Sequence, residues 1–121
     1  MPLSDLAAAL AAATGPDRAL DERMAVEVFG WVQHVSGEFW ITSPVHSDAF
    51  ELPELTASLD AITGAIREKW PGFRINAGWA ADYAGVEMFA DAPHFVAANA
   101  PSLVLALCLA AVRLALAEEG K

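Results

Sequence analysis

Apolar positions recur at two spacings along this chain, and the spacings divide it into elements. In "SDLAAALAAATG" Ser4 can cap a short helix, Ala and Leu propagate it, and Gly15 ends it. In "PDRALDERMAVEVFG" Leu20, Met24 and Val28 recur four apart. That spacing predicts a second helix, with Pro16 in its first turn and Gly30 as its stop. "WVQHVSGEFWITSP" changes period. Trp31 to Val35 and Glu38 to Thr42 alternate like strands about the turn pair Ser36-Gly37. Counting across that turn puts Val32, His34, Phe39 and Ile41 on one face, and Trp31, Gln33, Val35, Trp40 and Thr42 on the other.

Pro44 and Pro53 break up "SPVHSDAFELPELTA", which reads as a loop. A third helix follows in "SLDAITGAIREKW". Ser58 is its N-cap, Asp60 sits in the first turn, and Arg67 and Lys69 in the last. In "PGFRINAGWAADYAGVEMFADAP" Phe73, Ile75, Ala77 and Trp79 alternate with Arg74, Asn76 and Gly78. Val86 to Ala90 then form the return strand of a second hairpin. Asn99 or Ala100 starts the last helix, with Pro101 in its first turn. Leu103 to Val112 is apolar without interruption, so this helix is expected to be buried on most sides. Arg113, Glu118 and Glu119 cut the run short of the roughly 20 apolar residues a membrane span needs.

The order is α-α-β-β-α-β-β-α. It predicts an α+β fold of three layers, an α-β-α sandwich. Two hairpins join in one four-stranded, mostly antiparallel sheet with helices on both faces. With 121 residues the chain suits a single domain, 1–121, whose first 15 residues can fray.

Four stretches occur in an order similar to that of a known family: "LDERMAVEVFGW" (20–31), "LTASLDAI" (55–62), "WPGFRINAGW" (70–79) and "APSLVLALCLAAVRL" (100–114). They resemble small phage and prophage proteins described as the phage α-β-α sandwich domain. The shared features are a Leu-Asp helix ending in Gly-Trp, a Thr-x-Ser-Leu-Asp-Ala helix start, and an apolar final helix followed by Arg. The resemblance covers residues 16–117. It departs at Ser102-Leu103-Val104, where the family is richer in Ala, and at the acidic loop from Val45 to Glu54. It implies a viral or prophage origin and a three-layer fold. It carries over no catalytic residue.

Charge narrows the partners. Sixteen acids against seven bases give a net charge of −9, and no Lys or Arg stands between Met24 and Ile66. Such a surface repels nucleic acid and anionic lipid. The start lacks the basic region and Leu-rich stretch of a signal peptide, which points to the cytoplasm of a host cell. Cys108 is the single cysteine and sits in the apolar run, where it acts as a small hydrophobe.

No phosphate-binding glycine loop, nucleophile elbow or zinc motif is present, so no catalytic residue, metal or cofactor is expected. His46, Asp48, Glu51 and Glu54 lie close in sequence but read as a solvated acidic loop. The candidate ligand-binding residues are Trp40, Trp79, Arg74, Asn76 and His34. Trp is favoured where one ring edge is wet, and Arg74, Asn76 and Glu87 can share the polar face of the second hairpin. The reading is a non-enzymatic interaction protein that associates with itself and can engage a host or phage protein. The alternative is a small-ligand module that sequesters a host metabolite or signalling molecule.

Overall fold

The computed structural model describes residues 3–33, 40–41, 51–80, 83–89 and 95–119. For Gln33, Trp40, Ile41, Trp79, Ala80, Tyr83, Phe95 and Glu119 it describes the backbone alone. Four helices and five strands run in the order α1 (Leu3–Ala12), α2 (Arg18–Glu27), β1 (Val32–Gln33), β2 (Trp40–Ile41), α3 (Leu59–Lys69), β3 (Arg74–Ala80), β4 (Tyr83–Phe89), β5 (Phe95–Ala100) and α4 (Leu103–Glu119).

The helix ends follow local chemistry. Asp17, not Pro16, closes the start of α2: its carboxylate accepts from the Ala19 and Leu20 amides. Gly30 takes φ +70° just beyond α2, a backbone state that costs glycine nothing. Ser58 caps α3 by accepting from the Ala61 amide. Ser102 does the same for α4, accepting from Leu105 N at 3.2 Å. That helix starts at Leu103, later than the expected Asn99 or Ala100.

The reason is a strand that the sequence did not show. Residues 95–100 form β5, antiparallel to β4 in the register Val86↔Ala98 and Met88↔Val96. Ala-Ala-Asn-Ala has little strand preference of its own, but the open edge of β4 supplies hydrogen-bond partners. β3 pairs with β4 as the expected second hairpin, with Asn76↔Glu87 and Ala77↔Val86. The first hairpin pairs Val32↔Ile41 and Gln33↔Trp40. That is the register a two-residue turn at 36–37 requires, although the turn lies outside the described residues.

The expected four-stranded sheet is not what forms. β1 and β2 make a separate two-stranded ribbon, and β3-β4-β5 make a three-stranded sheet. The layer order is also corrected. α4 packs against β4 and β5, and against α1 and α3, while α2 packs on α1. Every residue from Leu105 to Val112 is buried, and more than two turns of helix cover every azimuth. Helix α4 is therefore the middle layer, between the sheet and the other helices. Leu3, Leu6 and Leu10 of α1 are buried in the same cluster. No helix among the described residues is long and apolar enough to cross a membrane.

The sheet turns one face to α4, through Ala84, Val86 and Met88 of β4 and Ala98 and Ala100 of β5. The other face carries Arg74, Asn76, Gly78, Glu87, Ala97 and Asn99, all exposed. The expected second helical cover is not found among the described residues.

Candidate functional site

The outer face of the β3–β5 sheet forms a concavity of about 510 Å³. Strand pairing assembles it. Asn76 stands opposite Glu87, which stands opposite Ala97; Gly78 stands opposite Gly85, which stands opposite Asn99. Gly78, Gly85 and Ala97 give it a low floor, because none carries a side chain beyond Cβ. Asn76, Glu87 and Asn99 rise around that floor.

Arg74 shares the parity of Asn76 along β3, so it lies diagonally from Glu87, about 7–8 Å away at typical sheet spacing. The two side chains make no ion pair with each other: the salt bridges among described residues are Arg18–Asp21 and Arg23–Glu27. Two opposite charges thus stand on one exposed face without an ion-pair partner among the described residues.

Of the five candidate ligand-binding residues, the structure brings together Arg74 and Asn76, with Glu87 beside them as expected. His34 lies outside the described residues, as do His46 and His94. Trp40 and Trp79 are placed by backbone only, Trp40 opposite Gln33 and Trp79 opposite Ala84. The contributions of Ala97 and Asn99 were not legible, because β5 was read as the approach to a helix.

A smaller hollow of about 170 Å³ lies between Phe29, Trp31, Ala65, Glu68 and Lys69. Trp31 stacks on Phe29 with centroids 5.2 Å apart, and Lys69 Nζ lies 5.3 Å from the Trp70 ring centroid. Phe29 also meets the Trp70 ring, with centroids 6.3 Å apart, and this contact joins the end of α2 to the end of α3.

The remaining polar chemistry is internal. Asp21 is 1% exposed, and its Oδ1 accepts from the Thr56 amide at 2.8 Å and the Thr56 hydroxyl at 2.7 Å. Arg18 pairs with the other Asp21 oxygen at 2.8 Å and donates to the carbonyls of Leu52 and Pro53. This network fastens the segment before α3 to α2. Cys108 is fully buried and its Sγ lies 3.2 Å from the Leu55 carbonyl oxygen. Burial pushes its thiol pKa well above the ordinary range, and the charge on Asp21 pushes the same way. Such a thiol is a packing group rather than a nucleophile. No group of three or more His, Cys, Asp or Glu among the described residues is placed to hold a metal ion.

Compared with known proteins, the chain matches no family model, no curated protein and no solved structure.

Proposed function

We propose that this chain is a non-enzymatic interaction protein that associates with itself, and that its working surface is the outer face of the β3–β5 sheet. The observation that carries the reading is the contrast between the two faces of one sheet. The inner face is buried on α4, while the outer face leaves Asn76, Glu87, Ala97 and Asn99 exposed around a low floor. An antiparallel sheet can stand with one wet face. This one is concave and floored by two glycines and an alanine, which lets another backbone approach closely.

The concavity is large enough for a small ligand but open. A bound small molecule usually has 70–90% of its surface covered, which a shallow sheet face does not provide. A broad macromolecular partner fits the shape better, and that places the metabolite-sequestering reading second. The order of the four motifs supports a phage or prophage origin. A host or phage protein remains a further partner of the same face.

Carbodiimide labelling tests the assignment. Glu87 and the exposed α3 residue Asp60 are modified at about 5 µM and about 500 µM protein. The expected result is that Glu87 becomes protected at the higher concentration and Asp60 does not. Equal labelling of Glu87 at both concentrations contradicts the assignment.

A further inference from the structure

Building on that reading of the face, we propose that its occupant is a second copy of this chain, related by a two-fold axis that sets Arg74 of each copy against Glu87 of the other. Three observations support it. First, the face is self-complementary. Arg74 and Glu87 stand on it as diagonal neighbours on paired strands, both exposed, and neither forms a salt bridge with another described residue. A two-fold axis lying between two such faces and passing midway between these residues forms both intermolecular contacts at once.

Second, the face is a neutral patch on an acidic molecule. The chain carries 16 acids and seven bases. The outer-face positions of the three strands, Phe89 opposite Arg74 included, carry one charge of each sign. Two copies each bearing −9 repel overall, and an approach through this face adds no net like charge to the contact. Third, the small residues of the floor do not hold the two sheets apart.

The size of the face sets the strength. Three strands about 4.8 Å apart and some seven residues long cover roughly 14 by 23 Å. That is below the roughly 800 Å² per partner of a standard stable interface. The dimer is therefore weak, forming at tens to hundreds of micromolar.

Charge reversal tests it with a self-rescue. Arg74→Glu and Glu87→Arg chains are purified separately, checked by circular dichroism, and studied by sedimentation velocity alone and mixed. Each variant alone sets like charges against each other at both contacts, so its dimer weakens about tenfold or more. The one-to-one mixture restores two opposite-charge contacts per pair and should dimerise at least as well as the unchanged protein. Arg67→Glu on α3 changes net charge as Arg74→Glu does and should leave dimerisation unaltered. An unchanged protein that dimerises while both reversals dimerise equally well, or a mixture that fails to rescue, overturns this interface but leaves self-association standing. An unchanged chain that stays monomeric to millimolar concentration overturns both.

Discussion

The carboxylate of Asp21 and the backbone amide and hydroxyl of Thr56, 35 residues apart in sequence, meet at 2.8 and 2.7 Å in the interior. The Thr56 hydroxyl also accepts from the Asp17 amide at 2.8 Å. One threonine thus joins the N-cap of α2 to the segment leading into α3. Thr56→Val keeps the shape but leaves part of the Asp21 carboxylate and the Asp17 amide unsatisfied. The expected loss is about 1–3 kcal/mol in urea unfolding. Thr56→Ser keeps the hydroxyl and should cost less. A Thr56→Val chain as stable as the unchanged protein would contradict the role given to the hydroxyl.

Trp70 Nε1 donates to Glu118 Oε2 at 2.9 Å, tying the end of α3 to the last turn of α4. Trp70 is 6% exposed, so its N–H has little access to water. Glu118→Ala should destabilise by roughly 0.5–3 kcal/mol, the span from an ordinary hydrogen bond to one with a charged acceptor. Glu118→Gln keeps an acceptor and should fall between that variant and the unchanged chain. Thermal unfolding of the three proteins orders them.

Cys108 gives a pH dependence of known sign. In the unfolded chain the thiol ionises near about 8.5. In the folded chain burial holds it protonated well above that. The folded state therefore binds more protons above pH ~8.5, and its stability falls as pH rises from there, by at most about 1.4 kcal/mol per pH unit. Below that pH the term is constant. Comparing Cys108→Ala with the unchanged chain at pH 7.5 and 9.5 isolates it: the substitution should cost less at the higher pH. A thiol reagent should react with the unchanged protein only after denaturant is added. Rapid labelling of the native protein contradicts the buried placement.

Leu6 of α1 and Leu109 of α4 are 0% and 2% exposed and belong to one core cluster. Leu109→Ala should cost roughly 2–5 kcal/mol. Leu6→Ala should cost an amount in the same range, because α1 packs on α4. A cost below about 1 kcal/mol at Leu6 would show that α1 contributes little to the folded core.

The sequence and structure part company at identifiable places. The Ser58 cap, the Gly30 stop and the buried run of α4 were readable because each depends on residues a few positions apart. The register of the first hairpin was readable by counting across Ser36-Gly37, whereas the return strand of the second, read as Val86 to Ala90, runs from Tyr83 to Phe89. What alternation does not encode is which strand pairs with which. Nothing in Val32-Gln33 or Trp40-Ile41 says that they stay apart from β3. β5 was hidden because Ala97, Ala98 and Ala100 favour helix locally and become strand against the edge of β4. That omission concealed one of the three strands that build the candidate site. Arg74, Asn76 and Glu87 were legible as one face of a hairpin, whereas Ala97 and Asn99 complete the face only once β5 is in place.

Self-association is the central claim, and sedimentation equilibrium of the unchanged chain from about 5 µM to about 1 mM measures it most directly. The account predicts a weight-average mass that starts at 12.8 kDa and climbs toward twice that value without passing it. A mass that stays at 12.8 kDa across the whole range would contradict it.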